Sequence, residues 1–435
     1  MSSRRPNGKP LSSLIACAAA LVALFLGART LPAQAAGRQE VVIWMWTAHV
    51  TDLYQSWYER VKAWYEAENP GATLRFEFVD TAAGEKLTAA VAGGAPPDVS
   101  LASIHHARTF YEAGMFTPLN RYIEATAEMH LDQFLPSSVV FGQKDGVIFG
   151  LPWSLEARAV LYNKVDLIEA GLDDRPTALT TWDDLVAYAQ RLVKKDAGGA
   201  VTHSGMVLGR GPSNFAAYLY ANGGSFYNEA GTAVAFNDAR GIEALEFMAR
   251  FYREYEVTRP GAAWTDIRSG TASMVIGDTS SIPGFQAQNP DFTSWLQMAP
   301  IPRGPQGEHT STVSWSNMFV IPRGAKNPDL GWNFIKLWLS PEATIERFLH
   351  FGGAYINSAR RDLLRSPQFA RSVEQYPYLA VSPEIFNNAR PYPYIRFSQI
   401  NAQMAPLLTQ AENGTLAAAA ALAEAERIAN AILQQ

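Results

Sequence analysis

Val41-Val-Ile-Trp-Met-Trp46 is the stretch on which the fold reading turns. It is a short apolar run with β-branched residues, which reads as a buried strand. After Thr51, Tyr54, Trp57, Tyr58, Val61, Trp64 and Tyr65 recur at helical spacing, and Asn69-Pro70-Gly71 stops the helix. Leu74 to Val79 alternates as a second strand, and Lys86 to Val91 predicts a short helix. Asp98-Val-Ser-Leu-Ala-Ser103 is then a third strand. Strand, helix, strand with short connections predicts an α/β fold with parallel-rich sheets flanked by helices and right-handed crossovers.

The alternation continues further along. Ala157 to Tyr162 is strand-like, and Thr181-Trp-Asp-Asp184 starts a helix with a capping box. Asp238 caps a helix through Ile242, Leu245, Phe247, Met248 and Phe251. Pro328 to Leu339 and Glu342 to Phe351 form a helical pair broken at Ser340-Pro341. The segment from Ala402 onward is alanine-rich and helical.

Working outward to the N-terminus, Arg4, Arg5 and Lys9 precede an apolar run from Leu14 to Leu26, which is shorter than a bilayer span. Leu31-Pro-Ala33-Gln-Ala35-Ala36 offers a small-x-small cut after Ala35. Residues 1–35 are therefore expected to be a cleaved signal peptide and the protein to be periplasmic. Cys17 is the one cysteine, so the mature chain carries no disulfide or thiolate metal site. About 400 remaining residues exceed the size of a single core, which predicts two domains. The net charge of −5 lacks the basic footprint of a nucleic-acid binder. Eleven Trp and seventeen Tyr are more than a core of this size requires, and invite a role at a binding surface.

Chemistry-bearing motifs are missing: no HExxH, no G-x-S-x-G, no P-loop and no G-x-G-x-x-G after a strand. His105 and His106 are adjacent on one turn and point apart, whereas a two-histidine metal site uses i, i+4, so no metal is expected. Asp183-Asp184 sits in a helix first turn, where the helix dipole accounts for it. No cofactor and no catalytic residue is expected.

Several stretches, in order, carry a family likeness. They are Trp44-Met-Trp46, Gly93-Gly-Ala-Pro-Pro-Asp98-Val, and Gly150-Leu-Pro-Trp-Ser-Leu-Glu156 running into Leu161-Tyr-Asn-Lys164. Thr181-Trp-Asp-Asp-Leu185, Gly270-Thr-Ala-Ser-Met274-Val-Ile-Gly277 and Val320-Ile-Pro-Arg-Gly-Ala-Lys-Asn-Pro328 follow. Over about 400 residues the chain resembles the extracellular solute-binding proteins of sugar ABC importers, the maltodextrin-binding type (family 1). The resemblance implies a two-lobe periplasmic-binding-protein fold, type II-like, with three short crossings and the ligand between the lobes. The crossings are expected near Ser154–Ala157, Gly277–Ser280 and Thr312–Ser314. The first lobe would hold residues 37–154 plus 279–312, and the second 155–278 plus 313–435.

Sugar rings stack their C–H faces on aromatics and give their hydroxyls to carboxylates, amides and Arg. Trp57, Trp64, Trp332 and Trp338 lie on helical stripes and read as core. Trp44, Trp46, Trp153, Trp264 and Trp315 lie at strand ends or crossings and are candidate platforms, with packing the alternative for each. His49, just past the opening strand, joins the candidates. By the resemblance, Glu156 occupies the position of a ligand carboxylate; a surface ion pair with Arg158 is its alternative. Ser103, His105 and His106 occupy a turn where the maltodextrin type carries Trp and Asp, a departure that argues against maltodextrin. Ser213-Asn214, Asp278-Thr279-Ser280 and Ser314-Trp315 border the other segments. Gly352-Gly353-Ala-Tyr355 reads as a backbone wall open to ligand. The resemblance implies that Arg390, before Pro391-Tyr392, lies against ligand oxygens, with a surface charge as the alternative.

The expected function is capture of a mono- or oligosaccharide by hinge closure in a monomer, with delivery to an inner-membrane ABC permease. The same fold binding a glycerol phosphodiester, polyamine or oligopeptide is the first alternative. A secreted glycosidase or lyase is the second.

Overall fold

The computed structural model describes residues 37–80, 84–354, 356 and 358–435. The expected signal peptide lies outside the described residues, as do Tyr355 and the side chain of His49. Fourteen strands are formed among the described residues: β1 Gln39–Trp46, β2 Ala72–Val79, β3 Val99–Ala102, β4 Gln143–Lys144, β5 Val147–Ile148, β6 Leu151–Pro152 and β7 Glu156–Asn163 come first. Then follow β8 Lys194–Lys195, β9 Val201–Val207, β10 Ala272–Asp278, β11 Leu296–Ala299, β12 Thr312–Trp315, β13 Met318–Val320 and β14 Ala389–Pro391.

The local reasons for the elements are those of the sequence. Thr51 Oγ1 accepts from Tyr54 N (3.4 Å) at the start of the helix Asp52–Glu68, whose buried stripe is Trp57, Tyr58, Val61 and Tyr65. A cap of this kind contributes about 1 kcal/mol. Thr181 and Asp184 form the capping box of the helix Trp182–Leu192: Thr181 Oγ1 accepts from Asp184 N (3.2 Å) and Asp184 Oδ2 from Thr181 N (2.8 Å). Asp238 Oδ1 accepts from Gly241 N and starts the helix Ala239–Arg253. The alanine-rich end is two helices, Phe397–Glu412 and Ala418–Leu433. They are separated at Gly414, whose φ of +77° is a left-handed conformation that ends a helix cheaply only in glycine.

Two sheets define two lobes. The first has the order β2-β1-β3-β13-β6 and the second β14-β12-β7-β10-β9-β8, with β11 also on β7. The expected parallel pairing holds for β1 with β2 and β3, as short βαβ crossovers require. Elsewhere the sheets are mixed, because β13 returns antiparallel to β3 and β10, β11 and β12 all run antiparallel to β7. No helix among the described residues is long and apolar enough to cross a membrane.

The first change of sheet falls between β6 and β7, at residues 153–155. The assignment of later segments needs correction. β10 and β11 both belong to the second sheet, so the strands flanking residues 279–295 return the chain to the same lobe rather than to the first. The chain changes sheet at 316–317, and β13 enters the first sheet beside β3. The helices Pro328–Trp338 and Pro341–His350 stay there, Trp338 packing on Trp57 and Phe319. Hydrophobic periodicity cannot reveal this exchange, because a strand of either sheet presents the same apolar run.

Candidate functional site

Glu156 is the first residue of β7, directly after the crossing, and its cross-strand partner in β12 is Trp315. That register brings Trp315 Nε1 to donate to Glu156 Oε2 at 2.7 Å, while Ser154 Oγ reaches Oε1 at 3.4 Å and Ser280 also donates. Loss of water nevertheless dominates and pushes the Glu156 carboxyl up to about 7, with the charge of Asp278 adding to the shift. Tyr54 of the first lobe lies near enough to feel that charge: burial pushes its phenol up to about 12, Glu156 contributing and Arg347 opposing.

Two residues along β7, on the same face, Arg158 forms a separate network. Its Nε donates to Asp278 Oδ1 (3.3 Å), its Nη2 to Ser213 Oγ (3.2 Å) and its Nη1 to Asn214 Oδ1. Asp278 stands opposite Arg158 in the β10–β7 register, and burial holds its carboxyl above the usual range despite that cation. The surface ion pair considered between Glu156 and Arg158 is thus not formed; Arg158 serves Asp278. Thr279 is buried and its Oγ1 accepts from Ala157 N (3.3 Å), a bond that ties β7 to the turn after β10.

Aromatic rings continue the site across the lobes. Tyr392, bonded to Ser213, lies edge-on to Trp315 (6.1 Å between centroids) and to His105 of the first lobe (5.8 Å). Tyr394 meets Phe141 of the first lobe edge-on at 5.1 Å and is bonded to Arg108. Beside these rings is a cavity of about 380 Å³ between the lobes. Arg108, Lys144 and Asp145 line it from the first lobe, and Tyr220, Arg390 and Tyr394 from the second. Arg390 lies over the Tyr220 ring at 4.4 Å and is held by Gly224 O and Ser225 Oγ (2.8 Å).

The candidates therefore separate into groups. Arg390 lines the inter-lobe cavity, whereas His105 and Trp315 reach it only through the Tyr392 ring, and Glu156, Asn214, Asp278 and Thr279 are bonded to Trp315, Arg158 and the β7 backbone outside the cavity lining. Trp44, Trp46 and Ser103 instead line a void of about 20 Å³ inside the first lobe, room for a water but not for a sugar. Trp44 is committed there, its Nε1 donating to Glu77 Oε2 (2.7 Å) with Lys86 over its ring at 4.7 Å. Trp153 is only 6% exposed and packs against Trp46 at 6.5 Å, so it is a packing residue of the crossing rather than an open platform. Trp264 rests on Phe285 (5.6 Å), away from the cavity lining. Gly353 is no open wall: its φ is +66°, its N–H closes onto Phe348 O, and a Cβ there would meet Ser372 Oγ at 2.5 Å.

Sequence reasoning missed Tyr220, Tyr394, Arg108 and the role of Arg158, and took Tyr392 only as a neighbour of Arg390. One usable signal was Tyr392-Pro-Tyr394: in extended chain, residues two apart share a face. The others gave none, since Tyr220 and Arg108 sit on helices that look like ordinary core and surface.

Comparison with known proteins agrees with this architecture. The family described as bacterial extracellular solute-binding protein matches residues 47–345. A binding protein of Brucella abortus (strain 2308) is 30% identical over 309 residues, 67% of this chain and 72% of that protein. The arabinooligosaccharide-binding protein of Halalkalibacterium halodurans is 21% identical over 360 residues, 79% and 76% of the two chains. Among solved structures, the cyclic α-maltosyl-1,6-maltose binding protein of Arthrobacter globiformis superposes with a TM-score of 0.78 at 22% identity, covering 92% of this chain and 100% of that one. With two lobes, a cavity between them and a match over most of its length, the chain belongs to the bacterial extracellular solute-binding protein family.

Proposed function

We propose that this protein captures a sugar in the inter-lobe cavity and delivers it, without chemical change, to an ABC-type permease of the inner membrane. One observation carries the reading: a cavity of about 380 Å³ walled by Tyr220, Tyr392 and Tyr394 and flanked by Arg108 and Arg390. Phenol rings offer apolar faces to a pyranose and their hydroxyls, with the guanidinium groups, offer hydrogen bonds to its oxygens. Sugar ligands named for relatives of this chain support the choice of solute class. Glu156, Trp315, His105 and Asn214, which lie outside the cavity lining and around Tyr392 and Arg158, are proposed as further contacts. Glu156 is a hydroxyl acceptor when ionised and a donor when protonated, which suits a polyhydroxylated ligand in either state.

The proposed cycle is binding on one lobe, closure about residues 153–155, 316–317 and the return of the chain to β14, and recognition of the closed form by the permease. The working unit is a monomer, exported by the cleaved leader. Isothermal titration against monosaccharides and oligosaccharides, with phosphodiesters, polyamines and peptides as the other arms, tests the reading. Micromolar or tighter binding of a sugar, returned uncleaved after incubation, is expected. Binding confined to another arm, or cleavage of the sugar, overturns it.

A further inference from the structure

Part of the lining of the inter-lobe cavity is exposed, and the exposed part is confined to two short stretches of the chain. The exposed lining residues are Asp145, Gly146, Asn228, Glu229 and Ala230, whereas the rest are buried or half-buried. These five fall on two turn tips, one from each lobe. Away from the tips, Tyr392 of the lining backs onto Trp315, which is bonded to Glu156 at the crossings.

Both tips are held by hydrogen bonds. On the first lobe β4 and β5 pair through Lys144 and Val147, leaving Asp145 and Gly146 as a two-residue turn with φ of +50° and +77°. Two successive left-handed residues with Asp-Gly are the tight hairpin turn that matches strand twist. Asn120 clamps it from below, Nδ2 donating to Gly146 O (2.9 Å) and Oδ1 accepting from Ile148 N (2.9 Å). On the second lobe the tip lies between the bridged residues Tyr227 and Val234. Asn228 Oδ1 accepts from Thr232 N (2.9 Å) and Ala233 N (3.2 Å), and Tyr227 Oη donates to Ile395 O (2.9 Å). Gly231 is pressed so closely on Ile395 that a Cβ would come within 2.7 Å of it. Neither tip can fold aside without losing these bonds.

We propose that the two tips, Asp145–Gly146 and Asn228–Gly231, act as a length stop that limits the ligand to a short oligosaccharide. The inference deepens the sugar-capture reading and rests on it. A volume of about 380 Å³ lies near the lower end of the roughly 300–1,000 Å³ typical of small-molecule pockets, which suits a short ligand. A longer chain that leaves the cavity on its exposed side meets the two hydrogen-bonded tips.

The test is titration of two neutral ladders, malto- and arabino-oligosaccharides, each from monosaccharide to hexasaccharide. Two variants accompany the wild type: one with the Tyr227–Val234 hairpin shortened to a two-residue Asn-Gly turn, and Ala230→Trp. Wild-type affinity is expected to peak at a short member and fall beyond it. The shortened hairpin should keep the affinity for that member within about twofold and tighten the longest members by about tenfold or more. Ala230→Trp should weaken the longest accepted member by about tenfold while sparing the monosaccharide. If the hexasaccharide binds wild type as tightly as the short member, or if neither variant shifts the ladder profile, the length stop is overturned while sugar capture stands. If wild type binds neither ladder, the sugar reading itself fails and the length stop goes with it.

Discussion

Trp315 donates its indole N–H to Glu156 at 2.7 Å from directly across the β12–β7 pairing, so two crossings of the chain are joined by one hydrogen bond beside Tyr392 of the cavity wall. Trp315 and Tyr392 each pack against both hydrophobic clusters of the protein, so the ring pair lies where the two meet.

Glu156→Gln should weaken sugar binding by about ten- to a hundredfold, the loss of one charge-assisted hydrogen bond worth roughly 1.5–3 kcal/mol. Calorimetry on wild type and variant at pH 8, where the native carboxyl is ionised, measures it. Unchanged affinity would remove Glu156 from the ligand contacts.

The raised carboxyl of Glu156 also makes a stability prediction. The folded state holds its proton up to about pH 7, whereas the unfolded chain releases it near 4.5. Between those values the native state binds more protons, so this group's contribution is full below pH 4.5 and is lost as pH rises toward 7. The melting temperature of ligand-free protein should therefore carry a declining component from pH 5 to 7 that Glu156→Gln flattens.

Arg158→Gln should destabilise the protein more at pH 7 than at pH 5. Without the guanidinium, Asp278 is left desolvated with no cation, and protonation relieves it. Denaturant melts at both pH values give the comparison, and an equal loss at both would mean that Asp278 does not depend on Arg158.

The tryptophans divide by exposure. Trp57 and Trp338 are wholly buried, and either truncation to Ala should cost about 3–5 kcal/mol of stability. Trp153→Ala belongs with them, because its ring is enclosed beside Trp46. Trp315→Ala, with a half-buried ring, should lose affinity with a smaller fall in melting temperature. Measuring both quantities on all four variants separates packing from binding.

Small-angle scattering should show a monomer whose radius of gyration falls at saturating sugar. An unchanged radius would count against closure about the crossings.

How much of this was legible beforehand depends on the range of the interaction involved. Thr51, Thr181 and Asp238 cap helices through bonds to residues three positions away, so their elements could be read from the chain alone. The apolar runs of β1, β3 and β7 likewise declare buried strands. Glu156 and Trp315 could be singled out as candidates, because a carboxylate and an indole beside a crossing keep their chemistry wherever they lie. What the amino-acid order determined by itself was therefore many of the longer elements, the α/β class with two domains, and part of the site's inventory. Tertiary structure alone decided which sheet β11 and β13 join, that Arg158 serves Asp278 rather than Glu156, and that Trp44 and Trp153 turn inward. It also decided that Tyr220, Arg108 and two distant turn tips share one cavity. Those outcomes rest on contacts between residues tens to hundreds of positions apart, set by strand register and the packing of whole layers. No local period or motif encodes them.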